Sequence, residues 1–355
     1  MIPQARDWFA RATSVAADWP ADRVRALKGT TSVAVVLPAL DEEATVGAIV
    51  ATIVRELACG PTPLVDDVVV LDSGSTDATA EVAARAGARV VARTDVLADV
   101  APLPGKGEAM WRAVAATDAD VIVFVDADLQ TFGSHYVAGL LGPLLVDDRV
   151  HLVKALYERP LVAHGRTVPA GGGRVTELVA RPLINIHWPQ LAGVVQPLGG
   201  EVALRRELAE ALAFPTGYGV ELAMLVDTVT RVGLAGLAQV DLGVRVHRHH
   251  DDDRLARMAT EIWQVALSRI GGCAGQASAD VPDLAGVLPA RSVGADCADP
   301  APGAGVSDGL LDVVAAPVDL AQFRRGPDGG FTVVSSPVTA QQRPPIAALR
   351  ARGLL

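Results

Sequence analysis

The chain has 355 residues, a formal net charge of −10 and 50% hydrophobic residues, with a mean hydropathy of +0.31. That length buries a sizeable core, as one large domain or two ordinary ones. The acidic balance argues against a general nucleic-acid binder, and no apolar run reaches the ~18 residues that suggest a bilayer span.

Residues 1 to about 30 form a polar, Ala/Arg-rich lead with Trp8 and Trp19, expected as a short helix on the body. Early charges and the lack of an apolar core in MIPQARDWFARATS argue against a signal peptide. Three cysteines (Cys59, Cys273, Cys297) without a CxxC fit a reducing cytoplasm and exclude a disulfide framework. Val33 to Leu37 reads as a buried strand stopped by Pro38. Asp41, Glu42 and Glu43 occupy the turn, and an apolar-periodic helix follows from about Thr45 to Leu57. The G-x-G-x-x-G of a dinucleotide-binding unit is missing at this turn, which counts against an NAD-type enzyme.

The pattern repeats. A strand from Val68 to Leu71 ends in Asp72-Ser73-Gly74-Ser75-Thr76-Asp77, and a helix runs from about Ala78 to Ala86, stopping at Gly87. Asp77 or Thr76 is the expected N-cap, with backbone N–H groups of the turn left free at the helix start. A short strand, Ala88 to Ala92, precedes Gly105-Lys106-Gly107, which opens the next helix. Strand–helix alternation with such helices predicts an α/β fold with a mostly parallel sheet.

The next strand carries the chemistry. Val121 to Val125 is a β-branched run that reads as buried on both faces and runs into Asp126-Ala127-Asp128. Side chains at i and i+2 of extended chain point the same way, so the two carboxylates converge at the strand end where open α/β sheets bind ligands. They repel unless a cation sits between them, and hard oxygen donors suit Mg²⁺ or Mn²⁺ shared with a nucleotide's phosphates. The competing reading makes one Asp a helix cap and leaves the other solvated. Further on, Gly171-Gly172-Gly173-Arg174-Val175-Thr176 is either a phosphate cradle at a helix start or a glycine hinge. From about Ile270 to Asp328 the chain is rich in Ala, Gly, Pro and Asp and reads as extended polypeptide without assigned chemistry.

Four signatures occur in order: Pro38-Ala39-Leu40-Asp41-Glu42-Glu43, Asp72 to Asp77, Gly105-Lys106-Gly107 and Asp126-Ala127-Asp128. The set resembles the nucleotide-binding half of a family 2-like glycosyltransferase with the GT-A fold. Gly171 to Leu183, Gln196 to Glu201, Gly217 to Thr228 and Gln239 to His250 are similar to the glucosyl-3-phosphoglycerate synthases of actinobacteria. Arg343 to Arg352 resembles that family's C-terminal tail. The resemblance implies a lead (1–30), a nucleotide-sugar-binding half (31–130), an acceptor-binding half of the same domain (131–270) and an extended C-terminal region (271–355). It implies transfer of glucose from a nucleotide-sugar, UDP-glucose foremost, to the 2-hydroxyl of 3-phosphoglycerate. Retention at the anomeric carbon, a divalent metal and a homodimer are implied with it. The product would feed glucosylglycerate and, in mycobacteria, methylglucose lipopolysaccharide synthesis.

The same resemblance assigns Pro38, Ala39, Leu40, Asp41, Glu43 and Ser73 to the base and ribose, with Asp126 and Ala127 beside them. Lys106 and Arg245 fall on the diphosphate, and Tyr218 and Glu221 on the donor sugar. It gives Asp128 and His247 to the metal, and Gly173, Arg174, Val175, Thr176 and His249 to the acceptor. Asp41 stands where the family usually has Asn, exchanging an amide donor for an acceptor-only carboxylate, and His249 also stands in place of an Asn. Ala127 replaces a Ser whose side chain would point away. Mannosyl transfer from GDP-mannose to the same acceptor is the nearest alternative. More remote are a haloacid-dehalogenase-type phosphohydrolase, whose Asp-x-Asp normally opens its fold, and a binding module without turnover.

Overall fold

Uninterrupted apolar runs set the middle of this fold, because a strand covered by helices on both faces has no solvent side to make polar. A computed structural model describes residues 1–158, 161–163, 166–168, 173–245, 252–273, 310–315, 317–325 and 331–355. The elements in order begin with α1 (Pro3–Ala12), β1 (Thr13–Val15), α2 (Ala21–Lys28), β2 (Val33–Ala39), α3 (Val46–Ile53), β3 (Asp67–Asp72) and α4 (Thr79–Arg85). There follow β4 (Arg89–Ala92), α5 (Lys106–Ala115), β5 (Val121–Phe124), α6 (His135–Val146), β6 (Leu152–Glu158) and a hairpin, β7 (Leu161–Ala163) with β8 (Arg166–Val168). Then come α7 (Arg181–His187), β9 (Val202–Arg205), α8 (Arg206–Ala211), β10 (Phe214–Pro215), α9 (Val220–Val232) and β11 (Leu237–Val244). The chain ends with α10 (Asp252–Cys273), β12 (Asp312–Val313), the hairpin β13 (Val318–Arg325) and β14 (Phe331–Val338), β15 (Gln341–Arg343) and α11 (Ile346–Ala351).

Eight strands form the central sheet in the order β1-β11-β6-β9-β5-β2-β3-β4. All neighbours are parallel except β9, which runs antiparallel to both β5 and β6. Val36 pairs with Phe124 and Ala39 with Asp72, so β5, β2 and β3 end at one edge. One hydrophobic cluster fills the face under α5 and α9, and a second fills the face under α3 and α6. Strands from both expected halves share this sheet. The helix over 46–53 continues as one wider turn to Ala58, close to the expected span.

Two elements depart from the sequence reading. The N-terminal lead contributes an edge strand to the sheet, β1 lying parallel to β11 with Thr13 opposite Gln239. Three residues are too few to display alternation; what fixes them is Trp8 Nε1 donating to Leu237 O at 2.9 Å and Gln239 Nε2 donating to Thr13 Oγ1 at 2.9 Å. The C-terminal region, expected as extended chain, contains β12, β13, β14 and β15. The last of these pairs antiparallel with β10, and Thr216 N donates to Gln341 O at 2.8 Å. Residues 274–309 lie outside the described residues.

Buried charge locks that C-terminal strand in place. Arg343 reaches Glu108 of α5 through Nε (2.6 Å) and Nη2 (3.0 Å), and Arg112 Nε holds the same carboxylate at 2.8 Å. All three side chains are buried. Trp111 Nε1 adds a hydrogen bond to Pro344 O. A carboxylate shared by two guanidiniums offsets the desolvation of all three only because each is bonded more than once.

Candidate active site

Two acid-rich turns lie at the shared edge, and their geometry differs. At the end of β3 the carboxylates are consumed by backbone. Asp72 accepts from Ser75 N (3.2 Å), Ser75 Oγ (2.5 Å) and Gly74 N (3.3 Å). Asp41 Oδ1, on the loop after β2, accepts from Thr76 N at 2.7 Å and Thr76 Oγ1 at 3.2 Å. Asp77 accepts from Thr79 N (2.9 Å) and Glu43 N (3.1 Å), while Glu43 Oε2 takes Ala78 N at 2.9 Å. The expectation of free amides at this helix start is therefore corrected. The N–H groups of residues 74, 75, 76, 78 and 79 already have acceptors from the chain's own acids.

Asp41 also has φ +56°, in the left-handed region that Asn and Asp tolerate best. Its bonded atom is an acceptor oxygen that an Asn would equally supply. This accounts for both residues fitting here. Leu40, Asp41 and Glu43 of the loop are exposed, beside the half-buried Pro38 and buried Ala39. Ser73 is tied down only through its backbone, N to Ala39 O at 2.9 Å.

At the end of β5 the partners are cations. Asp126 forms a short contact with Lys106 Nζ and accepts from Arg245 Nη2 at 2.9 Å. The same Nη2 reaches Asp128 Oδ1 at 3.2 Å, so the i, i+2 carboxylates do converge on one point. Lys106 Nζ also lies 3.3 Å from Glu221 Oε1, in the first turn of α9. Arg245 is anchored from behind: Nη1 is 2.7 Å from Tyr157 Oη and 3.0 Å from Glu201 Oε2, and Tyr157 Oη donates to that Glu201 oxygen at 2.9 Å. The Arg245 Nε is buried with no hydrogen-bond partner among the described residues. Thr45 Oγ1 donates to Ala127 O at 2.6 Å, stitching the β2 loop to this turn.

Burial opposes charging every group here, and mutual attraction overrides it for three of them. Burial alone would lower the Lys106 ammonium, but Asp126, Glu221 and Glu201 hold it well above its ordinary value. Burial likewise would raise Asp126, yet Lys106 and Arg245 hold its carboxyl far below the usual range. Arg245 is held high by Glu201, Tyr157 and Asp126 against its own desolvation. For Glu201 burial wins and pushes the carboxyl up, against the pull of Arg245. Lys106 and Arg245 are thus firmly charged, as groups meant for phosphate oxygens must be.

Packing requires the glycines around Lys106. A Cβ on Gly105 would lie 2.3 Å from Thr216 O, and one on Gly107 would lie 1.7 Å from Pro215 O. Lys106 is aimed because its turn is pressed on β10, and β10 is pressed on β15. Tyr218, beyond β10, donates its N–H to Glu261 at 2.9 Å, and its hydroxyl accepts from Arg254 Nη2 at 2.7 Å.

Gly173 turns at φ +83° into the helix that leads to α7. Arg174 is exposed, whereas Val175 and Thr176 are buried, so outward contacts from those two come from backbone. Arg245 follows the end of β11 rather than lying within it, after an irregularity between Asp241 and Val244. His247 and His249 lie outside the described residues, as do Gly171 and Gly172.

Sequence reasoning gave no role to Glu201, Tyr157 or Lys154. The signal was present for Lys154, a lysine inside the buried run LVKALY of β6. Among the described residues no three His, Cys, Asp or Glu side chains cluster to hold a metal. The donor set nonetheless fits a hard divalent ion. Asp128 is three-tenths exposed at the rim. Across the cluster the acidic side chains Asp126, Asp128, Glu201 and Glu221 outnumber the basic Lys106, Arg245 and Lys154.

A mostly parallel sheet, a strand-end Asp-x-Asp and a diphosphate-suited lysine and arginine define a glycosyltransferase with the GT-A fold. Residues 34–158 match the family model described as glycosyl transferase family 2. The chain is 53% identical over 253 residues to a glucosyl-3-phosphoglycerate synthase of Mycolicibacterium smegmatis, covering 71% of this chain and 82% of that one. It is 42% identical over 349 residues to one of Mycolicibacterium paratuberculosis, covering 97% and 93%. A solved structure of glucosyl-3-phosphoglycerate synthase from Mycobacterium tuberculosis, in complex with Mn²⁺, UDP-glucose and phosphoglyceric acid, matches with a TM-score of 0.72. Identity to it is 39%, over 94% of this chain and 96% of that one. This chain belongs to the glucosyl-3-phosphoglycerate synthase family. Family membership removes the phosphohydrolase alternative.

Proposed function

We propose that this chain transfers glucose from UDP-glucose to the 2-hydroxyl of 3-phosphoglycerate, retaining the anomeric configuration. The observation that carries the reading is the single cluster joining Lys106, Asp126, Arg245 and Glu221 at the sheet edge. The relatives named above, one of them seen with that donor and phosphoglyceric acid, support the substrates. Nothing in the geometry favours GDP-mannose, since the Asp41 carboxylate is bonded to its own chain.

Pro38 to Asp41, Glu43 and Ser73 hold the nucleoside in this reading, with Asp126 and Ala127 against the ribose. Lys106 and Arg245 take the diphosphate, where charge builds as the bond from C1 to the phosphate oxygen breaks. Tyr218 and Glu221 border the glucose. Glu221 is already engaged by Lys106, so it orients sugar hydroxyls rather than attacking C1. The 2-hydroxyl oxygen bonds to C1 on the face the diphosphate leaves, and the hydroxyl proton passes to the departing phosphate oxygen. The transition state has the oxocarbenium character common to glycosyl transfer. Asp128, with His247, would hold Mg²⁺ or Mn²⁺, which when bound supplies positive charge to the leaving diphosphate. Gly173, Arg174, Val175 and Thr176, with His249, receive the acceptor's phosphate and carboxylate.

The reading places the enzyme in the cytoplasm as a homodimer. In support, no described helix is long and apolar enough to cross a membrane. Trp263 and Leu267 of α10 are exposed one turn apart. Supply of product to glucosylglycerate or methylglucose lipopolysaccharide belongs to the same proposal. The test is to pair UDP-, GDP- and ADP-glucose and GDP-mannose with 3-phosphoglycerate or glycerate and assign the product by NMR. An α-glucosyl linkage at the 2-hydroxyl, formed from UDP-glucose and 3-phosphoglycerate, is expected. A mannosyl product, an inverted anomer or no product would refute the reading.

A further inference from the structure

Among the described residues, Lys154 is the one ion of the buried cluster that forms no ion pair with the others. It sits mid-strand in β6, 2% exposed, on the face shared with α5 and α9. Its ammonium donates to Gly199 O, the sole hydrogen bond it makes among the described residues. A buried ammonium served by a carbonyl is costly, and an apolar side chain of its length would hold this part of the core at least as well. Its presence calls for a role other than stability.

That role follows from what Gly199 supports. The segment Gln196 to Glu201 is wedged between β6 and the Lys106–Asp126 pair. A Cβ on Gly199 would stand 3.1 Å from Tyr157 Oη, while one on Gly200 would stand 2.1 Å from Lys106 Nζ and 2.2 Å from Asp126 Oδ1. Bare backbone at Gly200 is thus the floor on which the pair rests, and a shift of Gly199 moves that floor. Glu221 from α9, Lys106 from α5, Asp126 after β5 and Glu201 before β9 all face Lys154. Resting on the function proposed above, we propose that Lys154 is a positioning residue. Its ammonium fixes the Gly199–Gly200 backbone under Lys106 and Asp126 through a charge-assisted hydrogen bond to Gly199 O, which weakens when Lys154 loses its proton.

A consequence separates this from a packing role. Burial, opposed by Glu221 and reinforced by Lys106, lowers the Lys154 ammonium from 10.5 to about 8. Because the folded value lies below the unfolded one, the unfolded chain binds more protons between those values. The contribution of Lys154 to stability therefore rises with pH there. Turnover should fall over the same window. Activity and stability part company.

The experiment measures kcat, KM for UDP-glucose and the thermal midpoint between about pH 6.5 and 10. It compares the unmodified full chain, Lys154→Arg and Lys154→Met. For the unmodified chain kcat is expected to decline above about pH 8 with the melting point constant or rising. Lys154→Arg should lose that alkaline decline. Lys154→Met should lower kcat roughly 10- to 100-fold at neutral pH with KM for the donor little changed and the fold intact. Lys154→Met at full kcat, or an alkaline decline identical in all three proteins, overturns the inference alone. A kcat loss that tracks a drop in melting point does so too. No transfer by the unmodified chain would refute the underlying function and this inference with it.

Discussion

The turns after β3 and β5 look alike as sequence, each a strand ending in paired acids, yet they spend those acids on different partners. After β3, Asp72 and Asp77, with Asp41 and Glu43, accept from backbone N–H groups and neighbouring hydroxyls. After β5, Asp126 and Asp128 accept from Lys106 and Arg245 and from no backbone N–H among the described residues. The first arrangement builds a loop. The second leaves negative charge in contact with side-chain cations, which is what a diphosphate and a metal can exchange with. Partner type, rather than acidity, separates scaffold from chemistry.

Substitutions can break that contrast, and the largest effect is expected at Asp128. Replacing it with Asn should cost about 10³-fold in turnover through lost metal charge stabilisation, and Mn²⁺ titration of the same protein should show weakened binding. Lys106→Met should follow, with kcat down roughly 10²- to 10³-fold, the range for losing one preorganised charge donor. Next comes Asp72→Ala, which strips the turn of its acceptor. Denaturant unfolding should show a loss of about 1 kcal/mol, while kcat changes little. Asp41→Asn should be the smallest, leaving both the melting point and the preference among nucleotide-sugars where they were, because the bonded oxygen survives. A donor switch in that variant would show that the side chain at position 41 selects the base.

The strands and their order were legible where apolar runs met turn residues, as at Val33 to Leu37 and Val121 to Val125. The edge strand β1, three residues long, and the reversed strand β9 were not, because tertiary contacts fix them. At the site, strand periodicity pointed to the convergence of Asp126 and Asp128, although β5 ends at Phe124 and the two carboxylates meet in the turn beyond it, on Arg245. The destinies of Asp41, Asp77 and the Gly105 turn were not legible, since they depend on contacts distant in sequence, such as Pro215 O against Gly107. Glu201 and Tyr157 stayed silent because their motifs are ordinary until folding places them behind Arg245. The joining of β15 to β10 spans more than a hundred residues, and no local pattern announces it.

The central claim is that the cationic and acidic side chains after β5 carry a metal-dependent glucosyl transfer. The most direct measurement is UDP release by the unmodified chain from UDP-glucose, with and without 3-phosphoglycerate and with and without EDTA. Release that needs the acceptor, stops with EDTA and returns on adding Mn²⁺ or Mg²⁺ is predicted. Release indifferent to EDTA, or none with any divalent ion present, would contradict it.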